Sequence, residues 1–206
     1  MDSIIFDIDG TLWDSTTSVA IAWNKAIQEN SNLDPTVDEE LLVKVFGKTM
    51  SEIGDILFPT LHGEEKKDLM KKCFTTENDY LSTHPGKIYD GVIETIKELA
   101  NDFPLFIVSN CQTGYIETTM AAIGITPYIK DYLCFEDTHL PKGDNLKILI
   151  ERNHLKSPIY VGDTLGDADA CKVAQIPFIF AEYGFGNVPN ASIKIEKFPQ
   201  LLQIIK

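Results

Sequence analysis

Two aspartates near the start of the chain have the type and spacing of a catalytic pair. Asp7 and Asp9 directly follow an apolar run at residues 4–6, and Gly10 comes next. The run predicts a buried strand that the glycine ends. Open α/β sheets bind ligands at the carboxyl ends of their strands, so this pair suits an aspartyl nucleophile with a neighbouring acid–base and a divalent metal. By itself, the pair is also compatible with a simple turn or part of a calcium-binding loop.

Further polar side chains follow later predicted strands. They are Ser109 and Asn110 at the end of 105–109, Lys142 in the loop 138–143, and Asp163 with Asp167 after 159–162. Each has an ordinary explanation when taken singly, as a strand-end hydroxyl, a solvated lysine or a helix cap. Because the carboxyl ends of parallel strands share one edge of a sheet, their order along the chain predicts that they meet at one site.

The elements that must position these residues fall into two regions. Residues 14 to about 82 show helical periodicity without a strong strand, with helices predicted from Ser15 onward and at 38–46, 51–57 and 64–81. From residue 85, strands at 105–109, 132–135, 159–162 and 178–181 alternate with helices at 113–123, 144–153, 167–175 and 198–205.

This order predicts an α/β fold with a doubly wound parallel sheet and helices on both faces. We expect residues 1–13 and 85–206 to form this core domain. Residues 14–84 are then an inserted helical cap that rejoins the core at a Pro/Gly hinge near residue 85.

Composition and charge limit the classes of partner and the kinds of chemistry that we expect for this protein. The chain has 206 residues and a formal net charge of −13, so repulsion from phosphates predicts no nucleic-acid or membrane partner. Its four cysteines include no CxxC pair, which argues against zinc and thioredoxin-type redox chemistry. The sequence shows neither a signal-like segment nor a run of 18 apolar residues, so we expect a cytoplasmic protein.

Taken together, these motifs resemble the haloacid dehalogenase (HAD) superfamily of phosphotransferases. More narrowly, the chain resembles the subgroup with a helical cap inserted after the first motif, which includes phosphoglycolate phosphatases and β-phosphoglucomutases. Residues 6–11 match its DxDGT motif, Ser109 the hydroxyl of the second motif, Lys142 the lysine of the third, and residues 162–167 the GDxxxD form of the fourth. One departure is Gly143, where related sequences commonly have proline after the lysine.

The resemblance implies a role for each acid. Asp7 would attack phosphorus to form an aspartyl phosphate, and Asp9 would be the general acid and base, so the two need different environments. Mg²⁺ would be held by the Asp7 side chain, the Asp9 backbone carbonyl and Asp163, with Asp167 adjacent.

The phosphate and substrate contacts follow from the same resemblance. Ser109 and Lys142 would bind the phosphoryl group, and backbone N–H groups of residues 8–10 would add donors. Lys48, in the turn 46–50 between cap helices, is a candidate contact to an anionic or hydroxylated substrate body. Asn110 is a further candidate for a substrate hydrogen bond, as is Gln112, whereas Trp13 and Trp23 are expected to pack in the core or hinge.

The expected function is a Mg²⁺-dependent phosphatase of a small phosphomonoester, phosphoglycolate-like or a sugar phosphate. A phosphomutase would use the same chemistry, and a non-catalytic phospho-acceptor switch would use a similar acid cluster. Asp9, which would speed dephosphorylation, and the large insertion argue against a switch. The expected oligomeric state is a monomer or a homodimer, and the expected partner is a phosphorylated metabolite.

Overall fold

A parallel sheet forms the centre of the computed structural model, which describes residues 1–205. Its strand order is β5-β4-β1-β6-β7-β8, and every neighbouring pair is parallel. The strands are β1 (Ser3–Phe6), β4 (Leu105–Ser109), β5 (Ile129–Cys134), β6 (Pro158–Gly162), β7 (Phe178–Ala181) and β8 (Lys194–Ile195). The predicted α/β doubly wound core is therefore confirmed.

Strand β1 lies in the middle of the sheet because its apolar run can be buried on both faces. Ile4 and Phe6 pack into one hydrophobic cluster and Ile5 into another, as the alternation of side chains along a strand requires. All three are fully buried. The chain leaves β1 between β4 and β6, at the point where the strand order reverses and ligand crevices form.

Helices cover both faces of the sheet. One face is covered by α8 (Lys142–Arg152) and α9 (Leu165–Ala174), and the other by α5 (Val92–Leu99), α6 (Tyr115–Ile123) and α10 (Leu201–Ile205). Sequence analysis did not predict α5, although its buried residues Val92, Thr95, Ile96 and Leu99 have helical spacing. It also missed β8, which is two residues long.

The predicted helical insertion is present. It consists of α1 (Thr16–Asn30), α2 (Glu39–Val45), α3 (Met50–Leu57) and α4 (Gly63–Leu81), and we call these four helices and their turns the cap. Helices α1 and α4 pack together, with the Trp23 and Phe74 rings 6.1 Å apart.

The two chain segments that connect the cap to the core pair with each other. Strand β2 (Trp13–Asp14) forms an antiparallel ribbon with β3 (Lys87–Ile88), so the first residue of the predominantly helical region 14–82 is in a strand. The carboxylate of Asp14 instead accepts hydrogen bonds from the backbone and hydroxyl of Thr16 at the start of α1. The predicted domain boundaries lie beside this ribbon and stay a prediction.

Several element boundaries differ from those predicted, and the starts of β5 and α8 differ by two or three residues. Strand β5 begins three residues before the predicted 132, because its backbone pairs with β4 from Ile129 onward. Helix α8 begins at Lys142, so the prediction that Lys142 lies in a loop is wrong. The N–H groups of Asp144 and Asn145 both donate to the Pro141 carbonyl, which closes the first helical turn around Lys142. The short helix α7 (Phe135–Thr138) follows β5 directly.

Within residues 1–205, no helix combines the length and apolar character needed to cross a membrane.

Candidate active site

Four charged side chains from distant parts of the sequence meet at the carboxyl edge of the sheet. One carboxylate oxygen from each of Asp7, Asp163 and Asp167 lies within 4.8 Å of the others. The Lys142 Nζ atom is 3.0 Å from Asp7 Oδ1 and 2.6 Å from Asp167 Oδ1. All four side chains are buried. We call this group the carboxylate cluster.

The loop after β6 fixes two members of the cluster. Thr164 caps α9, and its hydroxyl accepts the Asp167 N–H at 3.2 Å while Asp167 Oδ2 accepts the Thr164 N–H at 2.9 Å. This reciprocal capping box leaves Asp167 Oδ1 to pair with Lys142. Asp163 follows the strand directly, and its Oδ2 accepts the N–H of Phe185 at 2.7 Å.

Gly10 makes room for Asp163. Its φ of +78° lies in the left-handed region, and a Cβ added there would collide with the Asp163 carboxylate. The glycine of the DxDGT motif therefore allows the loop after β1 to approach the loop after β6.

Charge balance at the cluster favours a cation. Three ionised aspartates and one lysine sum to −2, and an uncompensated charge is costly to bury. Burial raises the pKa of Asp7 to about 7, against the lowering effect of Lys142, and burial with the charge of Asp167 raises the pKa of Asp163 well above its usual range. For Asp167, burial is outweighed by Lys142 and by the hydrogen bonds from Thr164, which hold its pKa low.

The donor set fits Mg²⁺. A divalent ion would bring the summed charge to zero, and carboxylate oxygens are the ligands this hard cation prefers. The Asp7 Oδ1 atom is buried and has no aligned hydrogen bond to any atom of residues 1–205, although Lys142 is at ion-pair distance. A ligand oxygen is thus available at the centre of the cluster.

Asp9 lies outside the carboxylate cluster despite being two residues from Asp7. Its Oδ1 accepts hydrogen bonds from Trp13 Nε1 at 3.0 Å, Ser15 Oγ at 2.6 Å and Tyr115 Oη at 2.7 Å. Burial raises the pKa of Asp9, and these three hydrogen bonds oppose that shift. The two acids therefore have different surroundings, and the predicted metal contact through the Asp9 backbone stays a prediction.

A cleft between the cap and the sheet edge contains the other predicted side chains. Asp7, Asp9, Ser109, Asn110 and Lys48 all line it. Ser109 is buried at the end of β4, and Lys48 is exposed.

The cap turn touches the core at this cleft. The Asn110 Nδ2 atom donates to the Gly47 carbonyl at 2.8 Å, and the Phe46 and Phe185 rings are 5.8 Å apart. The fold thus brings Asn110 next to the turn that carries Lys48, and this turn of the cap packs against the core.

One expected donor is already used. The Gly10 N–H donates to the Trp13 carbonyl at 2.9 Å, so the prediction that the Gly10 amide serves the phosphoryl group is wrong. The loop between β1 and β2 closes on itself through this bond, which is why the amide is committed.

Sequence reasoning missed Glu77, an acid buried in the cleft wall. Glu77 is 4% exposed, lines the cleft, and its Oε2 accepts a hydrogen bond from Trp23 Nε1 at 2.5 Å. The signal was present: α4 buries Met70, Cys73 and Leu81 at helical spacing, and Glu77 occupies a position on this apolar face. Ser15 and Tyr115, the hydroxyl donors to Asp9, gave no comparable signal.

A doubly wound sheet whose carboxyl edge holds buried carboxylates and a lysine defines an α/β enzyme with its active site at that edge. A model of the family of haloacid dehalogenase-like hydrolases matches residues 4–181. This chain belongs to that family and is a hydrolase, as the resemblance implied.

The relatives are phosphatases by name. The phosphoglycolate phosphatase of Photobacterium profundum is 26% identical over 98% of this chain and 95% of its own length. That of Agrobacterium fabrum is 28% identical over 92% of this chain and 84% of its own length. A crystal structure from Haemophilus somnus, described as a predicted phosphoglycolate phosphatase, has a TM-score of 0.85 at 23% identity and covers 100% of this chain and 98% of that one. This last likeness shows the shared fold.

Proposed function

We propose that this hydrolase is a Mg²⁺-dependent phosphatase that cleaves a small phosphomonoester through an aspartyl phosphate on Asp7. The observation that carries the proposal is the separation of the two acids. Asp7 lies beside Lys142 in the carboxylate cluster, whereas Asp9 faces three neutral donors outside it. One site thus offers a nucleophile and a separate proton donor.

The first step transfers the phosphoryl group to the enzyme. A carboxylate oxygen of Asp7 attacks phosphorus, the bond to the leaving-group oxygen breaks, and Asp9 gives that oxygen a proton. Ser109 donates a hydrogen bond to the phosphoryl group from the end of β4. The Lys142 ammonium offsets negative charge on Asp7 and the phosphoryl oxygens.

The second step returns Asp7 to its starting state. Asp9, now ionised, takes a proton from water as the water oxygen attacks phosphorus, and the bond to Asp7 breaks to release phosphate. When bound, Mg²⁺ would neutralise phosphoryl charge and favour the ionised form of Asp7; Asp7 and Asp163 would hold it, with Asp167 adjacent and the Asp9 carbonyl as a further ligand.

The names of the relatives and the narrow cleft support a small substrate. We propose a phosphomonoester that is phosphoglycolate-like or a sugar phosphate, with the cap limiting both its size and the entry of water. Lys48, at the exposed edge of the cleft, would contact the part of the substrate nearest solvent.

The test is hydrolysis of p-nitrophenyl phosphate and a panel of phosphorylated metabolites with Mg²⁺. Asp7→Asn removes the attacking oxyanion and is expected to lower kcat by about three orders of magnitude or more. The matched control is Asp169→Asn, an exposed aspartate on α9 paired with Lys172, which should keep wild-type rates. Activity of Asp7→Asn within tenfold of wild type would refute the mechanism, and phosphoryl transfer to a second substrate hydroxyl would indicate a mutase.

A further inference from the structure

The cleft wall formed by the cap and the loop after β4 presents hydrogen-bond acceptors. Gln112 is 1% exposed and Glu77 4%, and both line the cleft together with Asn110. The Oε1 atom of Gln112 and the Oδ1 atom of Asn110 are buried and accept no hydrogen bond from any atom of residues 1–205. We call Glu77, Asn110 and Gln112 the acceptor wall.

The orientation of both amides is fixed by their NH₂ groups. The Asn110 NH₂ donates to the Gly47 carbonyl, which can only accept. The Gln112 NH₂ donates to Asn78 Oδ1 at 3.1 Å, and the Asn78 NH₂ in turn donates to the Thr113 carbonyl. Flipping an amide would place a donor against a donor or an acceptor against a carbonyl. The unpartnered atoms are therefore oxygens, and a ligand that pairs with them must bring hydrogen atoms.

The carboxyl groups that line the cleft also disfavour an anionic leaving group. Asp7, Asp9 and Glu77 line its interior. Among the described lining residues, Lys48 is the cation, but it is exposed and lies near Glu52, whose pKa is lowered by hydrogen bonds from Thr49 and by the Lys48 charge. A second negative group deep in the cleft would face carboxyl and amide oxygens without a buried cation.

A hydroxyl matches this wall. It donates to an amide oxygen and can also accept from or donate to a carboxyl group. Burial, with a smaller contribution from the Asp9 charge, raises the pKa of Glu77 to about 8, and the hydrogen bonds from Trp23 and Gln112 oppose this shift. At neutral pH the Glu77 carboxyl group can therefore offer both a donor and an acceptor.

Building on the proposed phosphatase function, we propose that the leaving group carries hydroxyls, as in a polyol or sugar phosphate. The acceptor wall binds these hydroxyls and discriminates against a leaving group that ends in a carboxylate, as in phosphoglycolate. Glu77 is the specificity-determining residue, because its position on the buried face of α4 brings an acid to the wall.

Three small esters test this assignment through kcat/KM: glycerol 3-phosphate with hydroxyls, phosphoglycolate with a carboxylate, and propyl phosphate with neither. The wild-type enzyme is expected to prefer glycerol 3-phosphate to phosphoglycolate by about tenfold or more. Glu77→Gln retains an acceptor for Trp23 but turns an amide donor toward the cleft. It should reduce that preference about tenfold, mainly through a higher kcat/KM for phosphoglycolate relative to propyl phosphate.

Two further variants keep the test decisive. Glu64→Gln alters an exposed glutamate on the same helix, and its selectivity should equal that of wild type. Gln112→Leu removes an unpartnered acceptor together with the NH₂ donor to Asn78, and it should lower the ratio of kcat/KM for glycerol 3-phosphate to that for propyl phosphate about tenfold. Thermal unfolding of each variant reports whether it folds, and a selectivity ratio taken on one enzyme preparation is independent of the folded fraction.

The outcomes separate this inference from the function beneath it. Equal or better use of phosphoglycolate by wild type overturns the inference, and so does an unchanged ratio in folded Glu77→Gln. A preference for 2-aminoethyl phosphate over glycerol 3-phosphate would show that the acceptor wall binds an ammonium group instead of hydroxyls, and this result would also overturn the inference. In each of these cases hydrolysis of propyl phosphate leaves the phosphatase proposal standing, whereas failure to cleave any ester would overturn both.

Discussion

Asp7 and Asp9 show how two identical side chains acquire different chemistry within three residues. Asp7 ends the central strand and joins Asp163, Asp167 and Lys142, where charge dominates its surroundings. Asp9 turns away toward neutral donors, chiefly hydroxyls that belong to other elements. The assignment of nucleophile and acid–base to these residues can be separated by experiment.

The acid role of Asp9 should depend on the leaving group. p-Nitrophenolate leaves readily without a proton, whereas an alkoxide does not, so Asp9→Asn is expected to lower kcat/KM about tenfold more for propyl phosphate than for p-nitrophenyl phosphate. The ratio kcat/KM reports the first phosphoryl transfer and is insensitive to slow dephosphorylation. The same variant should accumulate phosphoenzyme in acid-quenched samples. Equal losses for both esters would remove Asp9 from the proton transfer.

Lys142 should matter for stability as well as for catalysis. Lys142→Met leaves Asp7 and Asp167 buried without their cation and is expected to lower the free energy of unfolding by about 3–5 kcal/mol in EDTA. Urea unfolding measures this loss, and Mg²⁺ should reduce it. Lys147→Met breaks an exposed pair with Asp144 on the same helix and should cost at most about 1 kcal/mol. Similar losses in the two variants would show that Lys142 is not compensating buried charge.

At the scale of elements, α4 combines two tasks. It packs the cap through apolar residues against α1, and it brings Glu77 to the cleft. The acid is held by Trp23 of α1, so the contact that closes the cap helices also orients a polar group in the wall. The titratable groups that interact with it are Asp9, Tyr115 and Cys73.

Glu77 should make stability depend on pH in a defined direction. Its pKa rises from an ordinary 4.5 to about 8 on burial, so the folded state holds its proton more tightly than the unfolded state. The free energy of unfolding should therefore fall as pH rises from about 4.5 through 8. Glu77→Gln cannot titrate, whereas Asp9, Tyr115 and Cys73 titrate in both proteins.

Urea unfolding at pH 5, 6.5 and 8 measures this effect. The stability of Glu77→Gln relative to wild type should increase across the series, and that of Glu64→Gln should stay constant. A relative stability that is flat with pH for Glu77→Gln would show that Glu77 is already ionised in the folded protein.

At the scale of the whole molecule, the chain carries a large net negative charge, and folding buries three of its aspartates close together at the site. The formal net charge is −13, and three aspartates are buried within one cluster. Folding therefore brings together charges that the unfolded chain keeps apart. A cation that binds the folded cluster must then stabilise the whole protein.

Mg²⁺ should raise the free energy of unfolding by about 2.7 kcal/mol at one hundred times its Kd. Thermal unfolding measures the shift, with NaCl at matched ionic strength as control, because any salt screens repulsion in so acidic a chain. Asp163→Asn removes a proposed ligand without touching the nucleophile and should abolish most of the Mg²⁺-specific part. A shift that NaCl reproduces, or that survives Asp163→Asn, would contradict a metal site at the cluster.

The sequence determined the order of elements and the ends of the strands that carry the site. Runs of apolar residues fixed where β1, β4 and β6 are buried, and the residues at or directly after their carboxyl ends could only lie at one sheet edge. This is why Asp7, Ser109 and Asp163 could be placed in advance. Helix α5, strand β8 and the start of α8 were not placed, because their signals span few residues.

Only the tertiary structure decided which neighbours surround each functional group. The hydroxyls that hold Asp9 come from the start of α1 and from α6, and the wall of acceptors combines a cap helix with a core loop. Hydrophobic periodicity is a local property and specifies which face of an element is buried. The surroundings of a buried polar atom depend on how those faces dock, so the sequence alone could predict a phosphoryl-transfer site but not the polarity of the cleft beside it.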